Sequence, residues 1–128
     1  MSLRSPLGKV LGLGSAKGGS AHWYAQRVSA VALVLLGLWF FLSLASLDGA
    51  THANVVAWLA SPLHAALALL LVVTAAYHAV LGLQVVVEDY VADKGRRTLI
   101  LLAIKFALVV AAVVGVLAVL RIGFGVAA

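Results

Sequence analysis

Polar and charged residues cluster along this chain, and between the clusters lie three long apolar runs: Val28 to Leu47, about Pro62 to Val87, and Leu99 to Leu120. Each run is roughly 20 residues or more, enough for a helix to cross a hydrocarbon layer of about 30 Å. Between the first two, Thr51–Ala60 reads as a short interfacial helix, with Trp58 at headgroup depth. Ser61-Pro62 reads as the cap and first residue of the second span. The pattern therefore predicts an all-α integral membrane protein with three transmembrane helices and a short interfacial helix before the second.

Composition narrows the class further. Of 128 residues, 65% are hydrophobic and only 10% charged, and the mean hydropathy of +1.17 lies far outside the soluble globular range. We expect one membrane domain over 21–128 and no soluble domain. Residues 1–20 are Gly/Ser/Lys-rich without periodicity and read as a flexible cytoplasmic tail. Their basic, acid-free composition also has a weak transit-peptide character, whereas no A-x-A-like site follows the first span to suggest a secretory signal. The formal charge of +5 sits at helix ends, where it sets orientation rather than recruiting nucleic acid. Arg4, Lys9, Lys17 and Arg27 precede the first span and Lys94, Arg96 and Arg97 follow the second, while the first connection has no Lys or Arg. The positive-inside rule thus puts the N-terminus and the Glu88–Thr98 loop in the cytoplasm and the C-terminus outside, with Arg121 the one dissenting charge. The absence of cysteine excludes disulfides, thiolate metal sites and cysteine-held iron–sulfur clusters in this chain.

Ionisable groups within a bilayer are costly unless they face protein, water or a cofactor, which singles out His64, His78 and Lys105. Lys105 is near enough to its basic end to snorkel. His64 lies near the outer end, where interfacial water can satisfy it. His78 lies about ten residues, or roughly 15 Å, from the Glu88 end, too deep for a short side chain to reach water. Its face carries Thr74, Ala75, Leu81 and Gly82, with Ala79 adjacent. Small neighbours permit either close helix approach or a flat macrocycle against the backbone. Two uses stay open: haem ligation through Nε2, with Nδ1–H held by the Thr74 carbonyl, or an interhelical hydrogen bond. His64 and His78 also fall within about 40° of one face and roughly 21 Å apart, a spacing that suits a two-haem cytochrome if another chain supplies the matching histidines. Glu88-Asp89-Tyr90 is either an ordinary helix end or a membrane-boundary site where a phenol and a carboxylate meet a quinone head group. Arg27 is either a topology anchor or a partner for a haem propionate. Trp23 reads as an interfacial aromatic and Trp39 as mid-span packing.

The segments AHWYAQRVSAVAL and YHAVLGLQVVVEDYV, within a three-span chain, resemble the small hydrophobic membrane anchor subunit of bacterial succinate dehydrogenase (succinate:quinone oxidoreductase, respiratory complex II). The resemblance covers about residues 20–125, and its most specific element is reproduced by His78, Gln84, Asp89 and Tyr90. It implies a place in a multi-subunit helix bundle in the bacterial inner membrane, with a cytochrome b subunit, an iron–sulfur subunit and a flavoprotein subunit as partners. It further implies that His78 is an axial ligand to the iron of a b-type haem shared with the cytochrome b subunit. By the same resemblance Arg27 lies near the haem propionates, Tyr90 bonds a ubiquinone carbonyl and Asp89 lies close by. No residue of this chain is expected to act on succinate, which the flavoprotein would oxidise, and His64 receives no role. The alternatives are a haem-free membrane scaffold and the two-haem cytochrome using His64 and His78.

Overall fold

The computed structural model describes residues 19–125, which form four helices and no strand: α1 (Gly19–Ala45), α2 (His52–Leu59), α3 (Pro62–Tyr90) and α4 (Lys94–Gly123). α1, α3 and α4 are each long and apolar enough to cross a membrane. The tail expected over 1–20 lies outside the described residues, except that Gly19 and Ser20 already open α1.

The helices overrun the apolar runs at several ends. α1 begins at Gly19 rather than Val28, because Ala, Gln and Arg in AHWYAQR are good helix formers and no proline interrupts them. Hydropathy marks where hydrocarbon begins, not where backbone hydrogen bonding begins. α4 starts at Lys94, where the Asp93 carboxylate caps the helix by accepting from the Arg96 backbone N–H at 2.8 Å. At its other end Arg121 stands in the last turn, where a cation is favoured by the exposed carbonyls.

The α1–α3 connection turns at Gly49, whose φ of +85° a side chain would strain. Asn54 ties it down by donating to the carbonyls of Asp48 (2.9 Å) and Gly49 (3.0 Å). Thr51 then caps α2 by accepting from the Asn54 N–H. Ser61 and Pro62 occupy the expected cap and first-turn positions of α3, although the Ser61 side chain makes no capping bond.

α3 is the central helix, packed against α1 on one side and α4 on the other. Both pairs are antiparallel. Along α3–α4, Gly115 faces Val72 so closely that a Cβ would come within 3.0 Å of it, and Gly123 faces Ala65. Small residues here let the two backbones approach, which is how helices associate in lipid without a hydrophobic driving force. α2 lies across one end, where Leu59, Ala68 and Val119 form the buried cluster with Trp58 and Ile122 around it. Elsewhere large apolar side chains such as Val34, Phe41, Leu102 and Phe106 stand outward, as lipid or other transmembrane helices require.

Candidate functional site

On α1, His22, Gln26 and Ser29 recur at the spacing that lines one helix face. On α3, His78, Gly82, Val85 and Asp89 do the same. Antiparallel packing lays these two stripes together, so the deep histidine of α3 meets a polar face of α1's first three turns. Ser29 is the one buried polar residue of the described chain, at 5% exposure. Its hydroxyl donates to the Gln26 carbonyl at 3.1 Å and lies 2.9 Å from His78 Nδ1.

A hydroxyl has a single proton, and Ser29 has two acceptors for it, the Gln26 carbonyl and His78 Nδ1. With the proton on the carbonyl, Oγ accepts from Nδ1–H and Nε2 keeps its lone pair. The Gln26 side-chain amide approaches that nitrogen at a long 3.5 Å, and Gly82 leaves room for it, a Cβ there falling 3.4 Å from Gln26 Nε2. The Thr74 carbonyl expected to hold Nδ1 does not do so; the ring turns instead toward α1, where Nδ1 meets Ser29 and Nε2 faces Gln26.

The niche contains more polar capacity than it uses. His22 Nε2 and Gln26 Oε1 are buried and find no hydrogen-bond partner among the described residues. Orphaned atoms of this kind cost roughly 1–3 kcal/mol each unless another molecule pairs them. Both residues line a groove of about 340 Å³ between α1 and α3, completed by Trp23, Arg27, Gly82 and Val85. Arg27 sits on its rim with the guanidinium 5.6 Å from the Trp23 ring centroid; this cation–π contact leaves its N–H groups available.

Asp89 and Tyr90 lie at the end of α3, eleven and twelve residues beyond His78 and so about 16–18 Å along the helix. Both are exposed, Tyr90 at 86%. The Gln84 amide donates to Glu88 at 2.9 Å, which partly offsets a carboxylate at the negative end of the helix dipole. The structure thus joins His78 and the neighbourhood of Arg27 in one niche and leaves Asp89 and Tyr90 as a separate polar edge.

At the opposite end of α3, His64 donates from Nδ1 to the Trp58 carbonyl at 2.8 Å and stacks on the Trp58 ring at 4.9 Å. Trp39 stacks in turn on Trp58 at 5.6 Å. Protein, rather than interfacial water, supplies the His64 partner. Lys105 lies on the exposed side of α4, about three turns from the basic end, where its stem can run toward the interface.

The sequence reading missed Ser29, Gln26 and His22. Their spacing of four and three residues was the available signal, obscured because α1 was expected to begin at Val28. His22, read as preceding the first span, is in fact on its helix.

Three antiparallel helices long and apolar enough to cross a membrane, with a histidine–serine contact between two of them, define a polytopic membrane protein. Residues 1–114 match the family model described as succinate dehydrogenase/fumarate reductase transmembrane subunit. The succinate dehydrogenase hydrophobic membrane anchor subunit of Rickettsia bellii is 39% identical over 104 residues, covering 80% of this chain and 82% of its own. The proteins of the same name from Rickettsia conorii (37%, covering 79% and 82%) and Paracoccus denitrificans (34%, covering 89% and 88%) are similar to it as well. The chain belongs to this family of succinate dehydrogenase membrane anchor subunits.

Proposed function

We propose that this chain docks the flavoprotein and iron–sulfur subunits of a succinate:quinone oxidoreductase to the bacterial inner membrane, shares a b-type haem with a cytochrome b subunit, and contributes to the ubiquinone-reduction site. The observation that carries the proposal is the Ser29–His78 contact, in which the hydroxyl can hold Nδ1–H and so free the lone pair on Nε2. An axial ligand needs that tautomer with its other nitrogen held. The donor set also suits the group's periphery: Arg27 on the groove rim can meet a propionate carboxylate, and the unpartnered His22 Nε2 and Gln26 Oε1 favour a site completed by another molecule. Haem, when bound there, supplies a one-electron centre within the membrane.

The remaining steps fall to the polar edge. Tyr90 would donate its phenol hydrogen to a quinone carbonyl, and Asp89 beside it would accept and release protons at the boundary, where its exposure keeps it in exchange with water. By charge distribution this edge and the N-terminus are cytoplasmic. Docking to a cytochrome b subunit is supported by the outward apolar side chains and by an open groove between α3 and α4. That groove is lined by Ala75, Ala76, Ala79, Ala111 and Ala112, small residues of the kind that admit a neighbouring helix.

The reading is tested by a reduced-minus-oxidised visible spectrum of the detergent-purified complex, with haem quantified per chain and co-purifying subunits identified. One b-type haem accompanied by a flavoprotein and an iron–sulfur protein is expected, and a His78→Ala complex should lose its low-spin signal. Retention of that signal would remove His78 as ligand. A second reading, a haem-free anchor in which His78 serves only to bond α1 to α3, is favoured by the same interhelical contacts, and it predicts intact partners with no haem.

A further inference from the structure

We infer that Ser29 is a positioning residue for His78, holding the ring's tautomer and orientation so that Nε2 is presented as a ligand. This inference rests on the proposed ligation by His78 and goes beyond it by assigning the site's second layer to this chain's own first helix.

Three features converge. Ser29 is buried at 5% exposure, so protein rather than bulk solvent surrounds its hydroxyl. With its proton on the Gln26 carbonyl at 3.1 Å, the oxygen is polarised and becomes a better acceptor from His78 Nδ1–H at 2.9 Å. It also comes from a different helix, 49 residues away in the chain, so the contact ties ring orientation to the packing of α1 on α3. A backbone carbonyl of α3 itself would not do this. An acceptor on Nδ1–H raises the electron density at Nε2 and stabilises the more highly charged state of a bound metal.

The test uses the whole complex, comparing wild type, Ser29→Ala, Ser29→Thr and His78→Ala, with assembly checked by co-purification of the partner subunits. Removal of the hydroxyl should weaken haem retention by roughly 10- to 100-fold, shift the haem midpoint potential upward and broaden its low-spin electron paramagnetic resonance signal. Ser29→Thr, which keeps the acceptor, should restore all three. If Ser29→Ala matches wild type in potential, spectrum and retention while His78→Ala loses haem, the positioning role is overturned and the ligand assignment stands. If Ser29→Ala changes these readouts and Ser29→Thr fails to rescue them, the hydroxyl is not the cause and the inference also falls. Should His78→Ala keep a normal low-spin haem, ligation by His78 fails first and takes this inference with it.

Discussion

Two histidines on one helix, fourteen residues apart, have opposite surroundings. Both use Nδ1. His64 donates to the Trp58 carbonyl, six residues away, and stacks on that residue's own ring; the turn that creates the acceptor also supplies the packing, and the arrangement is self-contained. His78 Nδ1 meets a hydroxyl brought by another helix, in a niche where His22 and Gln26 hold buried polar atoms with no partner among the described residues. The contrast teaches that satisfaction, not burial, separates a structural histidine from a functional candidate. Orphaned polar groups in a membrane protein are costly, so each one points to a partner still to be supplied.

The sharpest way to break this comparison is to truncate each ring. His78→Ala should abolish bound haem in the assembled complex, whereas His64→Ala should leave haem content and spectrum unchanged; equal loss in both would erase the distinction. Next in size, Trp58→Ala removes a half-buried indole that stacks on Trp39 and His64, and should destabilise the complex by about 2 kcal/mol, read as a lower melting temperature with an unaltered haem spectrum. A spectral change there would mean the two ends of α3 are coupled. Tyr90→Phe deletes one proposed hydrogen bond and should raise the KM for quinone roughly three- to tenfold without shifting the haem bands, marking the polar edge as separate from the niche. Smallest of all, Thr51→Ala removes the α2 cap at a cost of about 1 kcal/mol or less, confined to thermal stability.

Much of the fold was legible along the chain. The second span's start at Pro62 and the short helix beside Trp58 followed from capping chemistry and hydropathy, and the observed elements begin at Pro62 and His52. The ends of α1 and α4 were less legible, since AHWYAQR and KGRRT are polar enough to leave the hydrocarbon yet still form helix. Of the site, His78 stood out because a short ionisable side chain so deep in an apolar run demands a partner, but the partner's identity did not. Thr74 was the local choice, and Ser29 the actual one.

That difference has a general cause. Span number, helix caps and the depth of each ionisable group depend on local composition and helix rise, and the order of residues fixes them before any packing occurs. These helices are apolar over most of their length, so the short His22–Gln26–Ser29 stripe marks one face of α1 without specifying which neighbour it meets. Rotation is decided by close packing, such as Gly115 against Val72 and Gly82 beside Gln26. Only that rotation brings Ser29 to His78 from 49 residues away.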